Sequence, residues 1–196
     1  MALVRHCTLY FDGACEPVNP GGVGTYGFVI YEEDSVIHRQ GGIACEPGPN
    51  CTNNVAEYTG LINGLRWILN HPKLGCDWLL VIGDSQLVIR HVLGRYRVRS
   101  ERLKPLYDGV VEILRDLRSR VEVKFRWVRR ELNEEADELT KEAYVKYMDE
   151  HPEAVEKFRN YFATEDQLKT LTSLGVKIYR YMGRFEAERL IKRLGG

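Results

Sequence analysis

Apolar and polar positions recur along this chain with a period that changes several times, and each change marks an element. Residues 3–12 (L-V-R-H-C-T-L-Y-F-D) are dense in apolar and aromatic side chains and end on Asp12, which reads as a strand. Cys15–Gly24 (C-E-P-V-N-P-G-G-V-G) is broken by Pro and Gly and reads as a loop. Tyr26–Tyr31 and Val36–Ala44 read as strands joined by the turn E-E-D-S, so the chain opens as an antiparallel meander. A second Gly/Pro-rich loop follows over Glu46–Asn50. The period then lengthens. Val55, Tyr58, Leu61, Ile62, Leu65, Ile68 and Leu69 lie on one helical stripe, with Thr52 or Asn54 as its cap.

Asp77–Ile82 is a continuous apolar run, the pattern of a strand buried on both faces in a parallel sheet. Ser85–Leu93 reads as a short helix, and Glu101–Leu117 as a longer one with Pro105 and Gly109 inside it. Val121–Val128 alternates Val121, Val123, Phe125 and Trp127 with charged residues, and Asn133–Met148 is helical. The order βββαβααβα predicts an α/β fold with a mixed sheet. His151-Pro152 marks a boundary between a first domain, 1–150, and a helical extension, 151–196, with helices over Glu153–Phe162, Glu165–Leu174 and Phe185–Leu194.

Composition narrows the class. A chain of 196 residues with 44% hydrophobic content suits one packed domain and a small appendage. No apolar run approaches the roughly 20 residues of a membrane span. The N-terminus M-A-L-V-R-H-C lacks the layout of a secretory signal, so an intracellular, cytoplasmic protein is expected. The five cysteines, Cys7, Cys15, Cys45, Cys51 and Cys76, are odd in number and include no C-x-x-C. Zinc and disulfide-framework readings are therefore weak, with a single bridge such as Cys45–Cys51 left open as a minority reading. Net charge is zero but unevenly spread. Arg90, Arg95, Arg97, Arg99, Arg102 and Lys104 crowd one segment, and Lys124, Arg126, Arg129 and Arg130 another. Acidic excess lies in Glu131–Glu142 and Asp149–Glu156. Basic stripes of this kind suit a phosphate backbone, or are simply solvated helix faces.

Candidate chemistry lies in four carboxylates. Asp12 and Asp84 close apolar strands, in L-Y-F-D-G and W-L-L-V-I-G-D-S-Q. Glu57 and Asp137 sit near helix starts, in T-N-N-V-A-E-Y and W-V-R-R-E-L-N-E-E-A-D-E-L. Each has a local structural role open to it: a bond back to a helix N-cap for Glu57, capping for Asp84, the helix dipole for Asp137 and turn chemistry for Asp12. Together, strand ends and helix starts can converge on one sheet edge. Four converging carboxylates repel one another unless divalent cations neutralise them, and hard oxygen ligands suit Mg²⁺ or Mn²⁺. A pair of such ions is the machinery of in-line phosphodiester cleavage. Gly21, Gly22 and Gly24 lead into a strand, not a helix, which excludes a P-loop or dinucleotide reading.

These motifs, Y-F-D-G-A-C-E-P-V-N-P-G-G-V-G, T-N-N-V-A-E-Y, G-D-S-Q-L-V and W-V-R-R-E-L-N-E-E-A-D, resemble those of type 1 ribonuclease H, in particular its short archaeal forms, over roughly residues 5–150. The resemblance implies a ribonuclease H-like fold, a five-stranded mixed sheet flanked by helices. It implies an endonuclease that hydrolyses the RNA strand of RNA–DNA hybrids with two Mg²⁺ ions, Mn²⁺ as substitute, leaving 5′-phosphate and 3′-hydroxyl ends. It carries metal-ligand roles onto Asp12, Glu57, Asp84 and Asp137, and substrate contacts onto Cys15, Asn19, Asn53, Asn54, Gln86 and Asn133. Helix capping is the alternative for Asn53, Asn54 and Asn133.

Many relatives carry a His before the last Asp. Trp127–Asp137 has none, so Arg130, or Glu131 beside it, is expected to take over that part of the chemistry. The basic protrusion of some relatives is shortened, with Arg95, Arg97, Arg99, Arg102 and Lys104 as partial replacement. The expected partner is an RNA–DNA hybrid, with double-stranded RNA as a second, no membrane, and a monomeric chain. The rival function is a catalytically weak hybrid- or double-stranded-RNA-binding module. The extension lies outside the resemblance. Lys177, Arg180, Arg184, Arg189, Lys192 and Arg193 give it a basic surface for nucleic acid, unless its apolar side simply packs on the core.

Overall fold

A computed structural model describes residues 5–195. Five strands, β1 (His6–Glu16), β2 (Val23–Glu32), β3 (Ser35–Cys45), β4 (Trp78–Gly83) and β5 (Glu122–Trp127), form one sheet in the order β3-β2-β1-β4-β5. β1 pairs antiparallel with β2 and parallel with β4; β2 with β3 is antiparallel, and β4 with β5 is parallel. The helices are α1 (Asn53–Asn70), α2 (Gln86–Val92), α3 (Lys104–Leu117), α4 (Glu134–Glu150), α5 (Pro152–Phe158), α6 (Glu165–Ser173) and α7 (Arg184–Leu194). The expected α/β order and five-stranded mixed sheet are thus the observed ones. Among the described residues no helix is long and apolar enough to cross a membrane.

The two faces of the sheet are covered by different helices. Cys7, Leu9 and Phe11 of β1, with Phe28 and Ile30 of β2, face α1 and α3, where Tyr58, Leu61, Leu65, Val110 and Leu114 complete the main core. Each fully buried side chain of this size contributes about 1.5–3 kcal/mol. α4 lies on the other face, across β2 and β3, where a Cβ added to Gly27 would come within 2.4 Å of the Ala136 carbonyl oxygen.

Several boundaries differ from the sequence expectation, each for a local reason. The strand expected over 3–12 starts at His6 among the described residues, and its first two positions, like the Met1–Val4 terminus, lie outside them. At its other end β1 runs to Glu16, because β2 begins at Val23 and pairs with it as far as Glu16↔Val23. The loop is therefore shorter than Cys15–Gly24. Asp12 closes β1 only on the β4 side, where pairing stops at Phe11↔Gly83. α3 starts at Lys104 and not Glu101, because Pro105 belongs in a first helical turn. The helix expected over Glu153–Phe162 ends at Phe158 and tightens into a 3₁₀ turn over Arg159–Tyr161.

The reading of the cysteines needs correction. Cys45 and Cys51 are bonded, but so are Cys7 and Cys76, a pair of sequence separation 69 that joins the start of β1 to the approach to β4. Cys15 is free and buried. The count was odd because one thiol stays unpaired, not because pairing is absent.

The extension packs on the core. Ala154 and Phe158 share a cluster with Tyr144, Tyr147 and Met148 of α4 and with Val23 of β2. Leu171 of α6, Met182 just before α7 and Ala187 of α7 form a small cluster of their own. Three of the extension's basic residues are paired with core acids: Lys177 with Glu138, Arg180 with Asp149 at 2.6 Å, and Arg193 with Glu131 at 3.0 Å. They meet the acidic excess of α4 and of the turn before it, while Arg184, Arg189 and Lys192, the other three residues of the expected basic surface, make no ion pair with a core acid among the described residues.

Candidate active site

Asp12 is held by the strand register and by two close helix approaches. Its partner across β2 is Gly27, which lets α4 come down beside it and brings Asp137 there, one residue beyond Ala136. On the other face a Cβ at Gly13 would lie 2.1 Å from the Glu57 nitrogen, and one at Gly60 would lie 2.6 Å from the Asp12 carbonyl oxygen. The absence of both Cβ atoms lets α1 press against β1, and that contact brings Glu57 to Asp12. Asp84 follows β4 directly, one position past the pairing of Gly83 with Phe11. Three strand and helix junctions thus deliver four carboxylates to the edge of the sheet.

Hydrogen bonds fix the set. Asp12 Oδ1 accepts from the Gly13 backbone N–H at 2.7 Å. The Ser85 hydroxyl caps α2 and also donates to Glu57 Oε2 at 2.5 Å. Asn133 Nδ2 donates to Asp84 Oδ1 and to the Phe11 carbonyl oxygen, each at 2.9 Å. Asn133 therefore makes no side-chain cap for α4; its amide ties Asp84 to β1. The Trp127 indole donates to the Asp84 carbonyl oxygen at 2.9 Å. Asp137 is gripped by two cations, Arg130 Nη2 at Oδ1 and Lys141 Nζ at Oδ2, each at 2.6 Å.

The electrostatics record the crowding. Burial pushes the Asp12 carboxyl well above the usual range, and the charges of Asp84 and Asp137 add to the shift, with Arg130 working against it. Glu57 is pushed up to about 7, chiefly by burial, with the Ser85 hydrogen bond opposing and Asp84 reinforcing. Burial works against ionisation of Asp137 too, but Arg130 and Lys141 outweigh it and hold that carboxyl below its usual range.

As they stand, no three His, Cys, Asp or Glu side chains among the described residues converge closely enough to chelate an ion. Several of the oxygens are turned to protein donors instead. The donor set nevertheless fits hard divalent cations. It is all oxygen, it carries repulsion that a cation relieves, and beside Asp84 the buried acceptor Asn133 Oδ1 has no partner.

The expected substrate-contact residues separate into two groups. Asn19, Cys15 and Asn53 form a chain linking the loop after β1 to the start of α1: Asn19 Oδ1 accepts from the Asn53 N–H at 3.0 Å, and Asn53 Oδ1 from the Cys15 N–H at 2.6 Å. The Cys15 thiol is only 2% exposed and donates to the Val18 carbonyl oxygen, so any contact it makes with a substrate falls to its backbone. Thr52, not Asn54, caps α1, and Asn54 is partly exposed beside it. Gln86 is exposed at the first position of α2.

Sequence reasoning missed four residues of the site. Lys141 was legible, since it lies one helical turn beyond Asp137. Ser85 was hidden behind its capping role. Glu16 and Glu186 meet only because the extension folds back: Glu186 lies 3.8 Å from Arg130 and is 5% exposed.

The sequence profile of a family described as reverse transcriptase-like matches residues 10–143. The bifunctional protein Rv2228c of Mycobacterium tuberculosis is 36% identical over 126 residues, 64% of this chain but 32% of that protein, so the chain spans about a third of its length. A ribonuclease H of Anaeromyxobacter sp. (strain K) is 30% identical over 146 residues, 68% of this chain and 77% of that one. The crystal structure of LC11-RNase H1 in complex with an RNA/DNA hybrid superposes with a TM-score of 0.61 at 31% identity, covering 72% of this chain and 99% of the other.

Proposed function

The chain belongs to the type 1 ribonuclease H family, and from that premise we propose that it is an endoribonuclease that hydrolyses the RNA strand of RNA–DNA hybrids at the carboxylate cluster, in the cytoplasm. The observation that carries the proposal is the convergence of Asp12, Glu57, Asp84 and Asp137 on one sheet edge, with Asn133 bonding both the Phe11 carbonyl and Asp84.

In this reading the four carboxylates hold a pair of Mg²⁺ ions, with Mn²⁺ as substitute. The chemistry such ions supply when bound is activation of a water for attack on phosphorus and stabilisation of the leaving 3′-oxygen, which gives 5′-phosphate and 3′-hydroxyl ends. The protein's own part is positioning. Ser85 orients Glu57, Asn133 orients Asp84, and Arg130 with Lys141 orients Asp137. Arg130 stands where many relatives have His, and a guanidinium at that edge suits a phosphate oxygen.

Substrate contacts fall to the Cys15–Asn19–Asn53 chain, Asn54 and Gln86. Amide side chains there can donate to base-edge acceptors and accept from the 2′-hydroxyl that distinguishes RNA. Arg95, Arg97 and Arg99, exposed and in no ion pair among the described residues, suit the phosphates of the DNA strand. The family profile matches residues 10–143, and the likeness to LC11-RNase H1 with its bound hybrid supports the substrate assignment.

The test uses an end-labelled hybrid with Mg²⁺ and then Mn²⁺. The full chain is expected to cut the RNA strand alone. Asp84→Asn is expected to lose about 10²–10³-fold or more, the scale for removing one charge-stabilising group, while its melting transition persists. Hybrid binding without cutting in either metal would replace the enzyme reading with a binding module.

A further inference from the structure

The extension reaches the catalytic edge. α7 clasps the 3₁₀ turn Arg130–Leu132 at two points: Glu186, in its first turn, stands 3.8 Å from Arg130, and Arg193, in its last turn, pairs with Glu131 at 3.0 Å. Glu186 has no freedom to swing away. It is 5% exposed, and its second oxygen accepts from the Tyr179 hydroxyl. The same Arg130 nitrogen that bonds Asp137 faces Glu186, so this guanidinium is shared between a core carboxylate and an extension carboxylate.

Arg130 has need of such a tether. It sits on a short turn, it carries a long side chain of many rotamers, and its charge acts on Asp12, Glu57 and Asp137 alike. Any cation drawn to Asp137 competes with Arg130 for that carboxylate. Glu186 is then the one remaining carboxylate within 4 Å of the Arg130 guanidinium among the described residues.

We infer that Glu186 is a positioning residue that keeps Arg130 at the rim of the carboxylate cluster, so that the working site includes the C-terminal extension and does not end with α4. The inference rests on the hybrid-cleaving reading above for its effect on rate, but not for its effect on Arg130 itself.

Two measurements on the full chain test it. The first is the ¹⁵N–¹H signal of the Arg130 Nε–H, assigned with Arg130→Lys and read with and without Mg²⁺. It is expected as a resolved, shifted resonance in the parent and to move to the position of mobile arginines in Glu186→Gln, which keeps the volume and the acceptor for Tyr179. An unchanged resonance overturns the inference, whether or not the protein cuts anything. The second is steady-state cleavage. Glu186→Gln should lower kcat by ~10–100-fold, the usual cost of losing a group that orients a site residue, with KM little changed. Glu186→Asp should recover part of the loss. The double variant Arg130→Ala/Glu186→Gln should be no slower than Arg130→Ala alone, since one residue acts through the other. Multiplying losses, or a loss confined to melting temperature, would overturn it. A parent chain that does not cleave would refute the hybrid reading, and the resonance would still decide the role of Glu186.

Discussion

Two of the carboxylates at the edge of the sheet are held out of their ordinary ionisation range by burial, and this has a thermodynamic signature. Glu16 is the clearest case away from the cluster itself. Burial pushes it up to about 8 from 4.5, the charge of Glu186 adds to the shift, and Arg189, Arg130 and Lys141 oppose it. The unfolded chain releases this proton near 4.5 and the folded chain keeps it to about 8. Over that interval the folded state holds more protons, so rising pH favours unfolding by at most about 1.4 kcal/mol per pH unit for one proton. Metal-free protein should therefore melt progressively lower as pH climbs through this window, and Glu16→Gln should flatten that slope. Equal slopes for parent and variant would show that Glu16 ionises normally. Legibility at this scale followed locality. Asp12, Glu57, Asp84 and Asp137 announced themselves through flanking motifs, while Lys141 was passed over although it lies one helical turn beyond Asp137. Glu16 gave no such signal, because its environment is made by Gly183, Glu186 and Arg189, far along the chain.

Among the elements, the decisive contact is α1 against β1. The sequence pattern showed the strand and the helix but not how closely they meet. That information lies in Gly13 and Gly60, which a hydrophobicity pattern reads as interruptions. Gly13→Ala is expected to cost about 3 kcal/mol or more, because the clashing atoms are backbone, and to suppress cleavage by moving Glu57. Thermal melting and a cleavage assay on the same sample check both halves. A stable, active Gly13→Ala would mean that α1 can retreat without cost to the site. The overrun of β1 past Asp12 was invisible for a related reason. Pairing with β2 depends on where the partner begins, and Pro17 and Pro20 drew attention to the loop between them and β2 rather than to the strand beside it.

For the whole molecule, the order of elements along residues 5–150 could be read from periodicity, whereas the extension's placement could not. Its basic residues looked ready for a phosphate backbone. Half of those named instead neutralise acids on α4 and its preceding turn, a complementarity split between two distant stretches of sequence. The Cys7–Cys76 bond was missed likewise, since that pairing is set by the sheet and not by spacing.

The bond between Cys7 and Cys76 acts as a rivet at the blunt end of the blade. It joins β1 and the lead-in to β4, the strands that carry Asp12 and Asp84, at the end away from those residues: five residues separate Cys7 from Asp12, or about 17 Å of strand. Closing so long a loop restricts the unfolded chain by about 4 kcal/mol on the entropic account. Removing this bond alone, as in Cys7→Ala/Cys76→Ala, should thus depress the melting temperature by many degrees yet leave turnover at ambient temperature almost untouched, making the protein's endurance, rather than its activity, the property that this bond sets.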